Sequence, residues 1–321
     1  MPEGLLQAAA RAAGAQAYPQ ATLYVVATPI GNVADVSLRA VHVLGLVDAI
    51  ACEDTRHSSA LLSRLGVDKP LLAVHEHNER SAAAAVMERL AAGQRVAYVS
   101  DAGTPAVSDP GAVLVDAARR AGYRVVPVPG ASSVVTALSA AGDVVSDAFS
   151  FVGFLPSKGQ ERVERLRDVL ERRDAQVLFE APHRIEALAR LLEQECGGRT
   201  LTVCRELTKQ FETIATMPAR DFPAWLAGDA DRCRGEFVLV LHGTAAREDA
   251  SDDDDELPEK VAAALPALLE ALPLKQVAAI VADLTGLPRK RIYQRALLLK
   301  SAMQGGGDDD EVDPPAPTIG T

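Results

Sequence analysis

From Leu23 onward the chain alternates short apolar runs with stretches whose apolar residues recur at helical spacing. Strands are predicted at Leu23–Thr28, Asp48–Cys52, Leu71–His75, Arg95–Ser100 and Arg124–Val128. Helices are predicted between and after them at Asp35–Leu46, Ser58–Leu65, Ser81–Ala92, Ala112–Ala121 and Ser132–Ala141. Strands alternating with helices of this length are the pattern of βαβ units and a parallel sheet. Near Asp143–Asp147 the rhythm changes. Strands follow at Phe149–Phe154, Gln176–Glu180, Thr200–Arg205 and Glu236–His242, with helices at Glu161–Arg172, His183–Glu193 and Phe222–Leu226. Residues 259–303 read as helices only.

The expected organisation is therefore a disordered N-terminus over residues 1–20, an α/β domain over 21–143 and a second α/β domain with a mixed sheet over 144–244. An acidic linker (245–257), a helical module (258–303) and a disordered tail (304–321) complete it. The N-terminal segment is Ala-rich, with Arg11 in its middle, and lacks the compact apolar run of a signal peptide. Nowhere do eighteen apolar residues run together, so no membrane span is expected.

Charge changes the picture. The 321 residues carry a formal net charge of -11, which as an even coating would exclude a polyanionic partner. It is not evenly spread. Residues 245–257 hold seven acids and only Arg247, and residues 304–321 hold five acids and no base, which together account for the whole excess. Residues 258–303 are net basic. There Leu274–Leu284 reads as one helix, Thr285-Gly286 as a turn, and Pro288 as the start of a second helix, the spacing of a helix-turn-helix. That second helix carries Arg289, Lys290, Arg291 and Arg295 for phosphates, with Tyr293 for stacking, and makes the module a candidate RNA contact. The four cysteines (Cys52, Cys196, Cys204, Cys233) have no C-x-x-C pair and no metal-ligand spacing. They are expected to be reduced thiols of a cytoplasmic protein, and no metal site is expected.

Three loops carry the candidate chemistry. Thr28-Pro29-Ile30-Gly31-Asn32 follows the first strand, Ser100 to Gly111 the fourth, and Pro129-Gly130-Ala131-Ser132-Ser133 the fifth. In a doubly wound sheet such loops meet at the carboxyl edge, where ligands bind. Asp101 and Gly103 are assigned to a ligand, and Asp109 to capping the next helix. No G-x-G-x-x-G fingerprint or P-loop lysine is present, so a dinucleotide or nucleoside triphosphate is not the expected ligand. The small residues instead outline a pocket for something of adenosine-like shape.

These segments, with Glu53-Asp54-Thr55-Arg56, His75-Glu76-His77-Asn78, Gly153-Phe154-Leu155-Pro156, Arg205-Glu206-Leu207-Thr208-Lys209 and Gly235 to Val240, resemble the tetrapyrrole methylase superfamily. Within it they resemble the branch that methylates small-subunit ribosomal RNA. The likeness departs at Phe179-Glu180-Ala181-Pro182-His183-Arg184, with Phe and Ala where Tyr and Ser are usual, and at Ala131, where Pro is common. The resemblance implies a two-domain enzyme, homodimeric, binding S-adenosylmethionine between its domains. It implies methylation of a cytidine ribose 2′-hydroxyl in the decoding region of 16S rRNA. By carry-over, Ile30, Asp101, Gly103, Thr104, Ser132 and Ser133 line the cofactor site, closed by Phe179, Glu180, Phe237 and Val238.

A neutral ribose hydroxyl is a poor nucleophile, so a base or neighbouring cation is expected, drawn from Glu180, His183, Arg184, Glu206 and Lys209. Each has a structural alternative: Glu180 with Arg184, and Glu206 with Lys209, are also natural ion pairs, and His183 can simply begin a helix after Pro182. Two further functions fit the pattern. One is a tetrapyrrole C-methyltransferase, for which a helix-turn-helix has no use; the other is a DNA-binding regulator that senses a nucleoside.

Overall fold

The computed structural model describes residues 2–75, 78–107, 111–245 and 259–304. The chain divides into two compact units, residues 1–246 and 247–321. The acidic residues Asp252–Glu256, the tail beyond Gln304 and the Asp109 cap lie outside the described residues.

The first unit begins with α1 (Pro2–Ala13), then β1 (Thr22–Val26), α2 (Leu38–Leu46), β2 (Ala49–Cys52), α3 (Thr55–Leu65), β3 (Leu71–Ala73) and α4 (Glu79–Ala91). It continues with β4 (Arg95–Val99), α5 (Ala112–Arg120), β5 (Arg124–Val128) and α6 (Ser133–Ala141). The five strands form an all-parallel sheet in the order β3-β2-β4-β1-β5. Its strands are apolar on both faces because both are covered. Tyr24, Val26, Ala97 and Val99 pack with α1, α2 and α3; Leu23, Val96 and Tyr98 point the other way, into the side chains of α4 and α5. Local signals set the helix ends. Ser37 accepts from Ala40 N at 3.0 Å to start α2, Asp54 accepts from Arg56 N at 2.8 Å to start α3, and Gly66 ends α3 in the left-handed region.

The second half holds β6 (Phe149–Phe154), α7 (Gln160–Leu170), β7 (Ala175–Glu180), α8 (Ile185–Cys196), β8 (Thr200–Arg205), β9 (Thr213–Pro218), α9 (Phe222–Ala227) and β10 (Phe237–Leu241). Its sheet runs β6-β7-β10-β8-β9, with β6 and β7 parallel and the other pairs antiparallel, a mixed sheet. One face packs on α8 and α9 through Leu178, Val203, Phe237 and Leu239. The other face, with Val177, Cys204, Val238 and Val240, packs on α6 and on Ile30 from the first sheet's loop. The two sheets thus share one apolar seam and belong to one compact unit, with the site at its edge.

Two elements differ from expectation. Residues 2–13, expected to be disordered, form α1, whose Ala9 and Ala13 are buried and whose Leu5 and Leu6 pack into the core beside α2. Strand β9 has no counterpart in the predicted set; as an edge strand with no fully buried residue it lacks an apolar run.

The second unit comprises α10 (Glu259–Ala271), α11 (Leu274–Thr285) and α12 (Arg289–Gln304) around a core of Leu265, Leu269, Val277, Ala278, Val281, Ile292 and Ala296. Gly286, with φ 69°, closes α11 by donating to Ala282 O at 2.8 Å, the turn expected of a helix-turn-helix. Among the described residues no helix is long and apolar enough to cross a membrane.

Candidate active site

The order β4-β1-β5 brings the three candidate loops together at the carboxyl ends of adjacent strands. Thr28 and Gly103 exchange backbone hydrogen bonds (2.9 and 3.1 Å), and Thr104 Oγ1 donates to Ala131 O at 3.1 Å. The three loops are therefore one rigid rim. Gly103 sits at φ 81° with Ile30 Cγ2 only 3.3 Å from where a Cβ would stand, so the close loop crossing needs a glycine.

Above this rim lies a cavity of about 350 Å³ between the two sheets. Its wall on the first sheet's side is Ile30, Gly103, Thr104, Ser132 and Ser133 with Ala102, Val107 and Val134; its wall on the second sheet's side includes Phe179, Glu180, Phe237 and Val238, with Phe154 and Leu207. Phe179 stands edge-on to Phe151 and Phe154, with ring centroids 5.0 and 5.6 Å away, so this wall is aromatic. Ser132, the residue before α6, makes no side-chain cap, leaving its hydroxyl and the helix start to a ligand. The volume lies within the roughly 300–1,000 Å³ usual for small-molecule sites. Flat apolar walls suit a purine, and the hydroxyls and amides at one end suit a ribose or an amino-acid moiety.

Asp101 is not on this cavity. It lines a neighbouring one of about 280 Å³, with His57, Arg64 and Lys209, where its Oδ1 accepts from Asp54 N at 3.1 Å. Ile30, Ala102 and Glu236 line both cavities and form their border.

The five candidate bases are differently placed. The Glu180 side chain is fully buried between two arginines: Arg162 Nη2 donates to Oε2 at 2.7 Å, Arg184 Nε lies 2.9 Å from Oε1, and Ala181 N–H adds a bond of 2.9 Å. Arg184 also donates to Leu155 O (2.6 Å) and Pro156 O (3.0 Å), tying the end of β7 to the loop after β6. His183 is exposed in the turn Pro182–Arg184 and lines neither cavity.

Lys209 Nζ bridges Glu206 Oε1 at 2.9 Å and Glu236 Oε2 at 3.0 Å. Burial pulls its pKa down, but the hydrogen bonds to Glu206 and Glu236 outweigh that and hold it above the ordinary lysine value. Burial likewise raises Glu206, and the bonds from Lys209 and the Glu236 N–H more than offset it, leaving the carboxyl below its usual range. Lys209 is thus a cation and Glu206 its counter-ion. Their loop is held in an unusual backbone: Glu206 and Thr208 have φ of 52° and 67°, a strain of about 1–3 kcal/mol each of the kind found at functional sites. Gly31 makes the fit possible, since a Cβ there would stand 2.6 Å from Lys209 Cγ and 2.9 Å from Thr208 Oγ1.

In the second unit, Arg289 and Lys290 are exposed and Arg291 and Arg295 half-buried along α12. Tyr293, expected to be free for stacking, is half-buried and packs against the unit's own apolar core.

Residues 22–223 match the family of Tetrapyrrole (Corrin/Porphyrin) Methylases, and residues 255–300 match the RsmI C-terminal HTH domain. A protein named Ribosomal RNA small subunit methyltransferase I from Haemophilus influenzae is 44% identical over 279 residues, covering 86% of this chain and 96% of that protein. Its namesake in Pseudomonas aeruginosa is 46% identical over 277 residues, with the same coverage. The chain belongs to the ribosomal RNA small subunit methyltransferase I family. As a member of that family it is a methyltransferase with the fold of the tetrapyrrole methylases. Among solved structures, cobalt precorrin-4 methyltransferase (18% identity, TM-score 0.52, covering 69% of this chain and 95% of that one) and the methyltransferase CobJ (21% identity, TM-score 0.52, covering 71% and 95%) share that fold.

Sequence reasoning missed Arg162, His57 and Arg64. Nothing in the sequence marks Arg162 as facing a core. The spacing of His57 and Arg64, seven apart on one helix directly after Glu53-Asp54-Thr55-Arg56, is a signal that was there to be found.

Proposed function

We propose that the protein transfers the methyl group of S-adenosylmethionine to the 2′-hydroxyl of a cytidine in the decoding region of 16S rRNA, working as a homodimer on small ribosomal subunits in the cytoplasm. The observation that carries this is the pairing, in one chain, of a cavity between two methylase sheets with a helix-turn-helix unit whose second helix is basic. A tetrapyrrole substrate has no use for that unit, whereas RNA phosphates do. Ile30, Phe179 and Val238 would hold the adenosine of the cofactor in the larger cavity, and Thr104, Ser132 and Ser133 would hydrogen-bond its polar groups. When bound it supplies an electrophilic methyl carbon. The ribose oxygen forms the new bond to that carbon, the carbon–sulfur pair stays on sulfur, and the hydroxyl proton leaves to solvent or a nearby acceptor.

Lys209 spends two of its three N–H groups on Glu206 and Glu236. The third hydrogen-bonds the ribose oxygen as it gains negative charge. Catalysis is otherwise alignment of oxygen, carbon and sulfur. On α12, Arg289, Lys290, Arg291 and Arg295 contact RNA phosphates.

The test is incubation with tritiated S-adenosylmethionine and, separately, small subunits, free 16S rRNA, a uroporphyrinoid and DNA, followed by alkaline hydrolysis. Label in an alkali-resistant cytidine dinucleotide from 16S rRNA is the expected result. Label in the uroporphyrinoid, or none in either RNA substrate, refutes the proposal.

A further inference from the structure

The smaller cavity has a charge pattern that the cofactor does not explain. Along one wall α3 presents His57, Ala60, Leu61 and Arg64, the i, i+3, i+4, i+7 stripe of a single helix face, and Ala60 leaves room between the two basic residues. Neither the His57 nor the Arg64 side chain makes a hydrogen bond or ion pair with any described residue, and both are exposed. Lys209, on the facing wall, is already matched by two carboxylates. The unspent cation of the cavity is therefore Arg64 on α3, with the His57 imidazole on the same helical face. Near the border with the larger cavity, Asp101 Oδ1 is used by Asp54 N–H, while Oδ2 receives no hydrogen bond from a described residue and is free to accept one.

We propose that this cavity seats one ribonucleotide of the substrate strand, splayed out of its stack, with its phosphate on Arg64 and His57 and its ribose at the Ile30–Ala102 border. Asp101 there accepts a hydrogen bond from the sugar hydroxyl, which fixes the nucleotide's direction. A guanidinium suits a phosphate through paired N–H donors, and single-stranded RNA is read by enzymes in this splayed form. The proposal rests on the RNA-methylating reading above and names the place where that substrate docks. It also gives Asp101 a role on the substrate side of the border rather than on the cofactor side.

The test compares full-length wild type with Arg64→Gln, Arg64→Lys and His57→Gln. The measurements are cofactor affinity by calorimetry, kcat and KM on small subunits, and the salt dependence of KM. Loss of one phosphate contact should raise KM about tenfold or more, with Arg64→Lys between Arg64→Gln and wild type. The slope of log KM against log salt should fall by about 0.7, the value of one phosphate on a single strand. Cofactor affinity should not change. Both side chains are exposed, so His57→Gln carries the test should Arg64→Gln fail to fold. A KM and salt slope equal to wild type in a folded variant overturn the cavity assignment alone. Wild type that labels no RNA overturns the function and this proposal together.

Discussion

Glu180 separates two accounts of the site, because a catalytic base and a structural brace respond differently to the same change. Glu180→Gln keeps the shape of the side chain and removes its charge. In the native protein the carboxylate is fully buried and lies 2.7 Å from Arg162 and 2.9 Å from Arg184, whose side chains are 7% and 18% exposed. Burial lowers the Arg162 pKa, Glu180 opposes that, and repulsion from Arg184 adds to it. Without the carboxylate, two cations face each other with no counter-ion. Removing one partner of a buried pair costs about 3–5 kcal/mol, and Arg184, the less buried, can swing toward water, so the lower end is expected. Against a typical total of about 5–15 kcal/mol, that is a large fraction. The β7 end would also loosen, and with it Phe179 and Pro182 on the cavity wall. Guanidinium unfolding should show the loss of about 3 kcal/mol, calorimetry a weaker cofactor affinity, and saturating cofactor should restore kcat to within a few-fold of wild type. A base would behave otherwise: kcat down roughly 10²–10⁴-fold at any cofactor concentration, with stability little changed. That second outcome would refute the brace.

Three further outcomes are expected. Gly103→Ala forces a side chain into φ 81° beside Ile30, which should cost about 1–2 kcal/mol and weaken cofactor affinity; an unchanged affinity by calorimetry would mean this crossing does not shape the site. His242 is buried, with Nε2 2.7 Å from Thr202 Oγ1; burial lowers its pKa, Asp143 opposes and Arg199 assists. The unfolded chain therefore takes up a proton near pH 6.5 that the folded chain resists. The His242 contribution is full above that pH and lost as pH falls through the lower folded value. Urea midpoints should drop between pH 7.5 and 5.5, and His242→Gln should flatten the drop; an equal drop in the variant would place the titration elsewhere. Finally, the pair Arg289→Ala and Lys290→Ala should weaken small-subunit binding and cut its salt slope by about 1.4, two phosphates' worth on a single strand, as read by filter binding across salt, with cofactor affinity unchanged.

The fold was legible wherever burial is regular. Strands β1, β2 and β4 are covered on both faces, so their sequences are nearly unbroken apolar runs, and glycine and capping residues punctuate the helices between them. Legibility failed where an element is stabilised by what lies beside it. In β9 the residues alternate between half-buried and exposed, and the strand is held by its ladder to β8, with Thr216 bonded to Thr202 at 2.7 Å. Helix α1 offers only a thin stripe of Leu5, Leu6, Ala9 and Ala13, and packing on α2 gives it a fixed place. An Ala-rich stretch has the propensity for helix, but propensity alone does not distinguish it from a frayed leader.

The site was legible as a place and less so as a set of roles. Loops after β1, β4 and β5 are neighbours because their strands are, and the rhythm of the sequence suffices for that inference. What a side chain does there depends on facts of a different kind. Asp101 turns to Asp54 and lines the smaller cavity, Gly103 lines the larger, and Ala102 between them lines both; a motif does not resolve so short a step. Glu180, at the end of strand β7, looks like a base from its neighbours in sequence, but Arg162 comes from helix α7 and consumes one of its carboxylate oxygens. Lys209 looks like one base among several until Glu206 and Glu236 are seen to keep it charged. In each case one deciding partner, Arg162 or Glu236, is remote in sequence. Chemistry at this border is therefore set by which polar groups are already spent, and the unspent ones, on Arg64, His57 and Asp101, face the cavity beside the cofactor's.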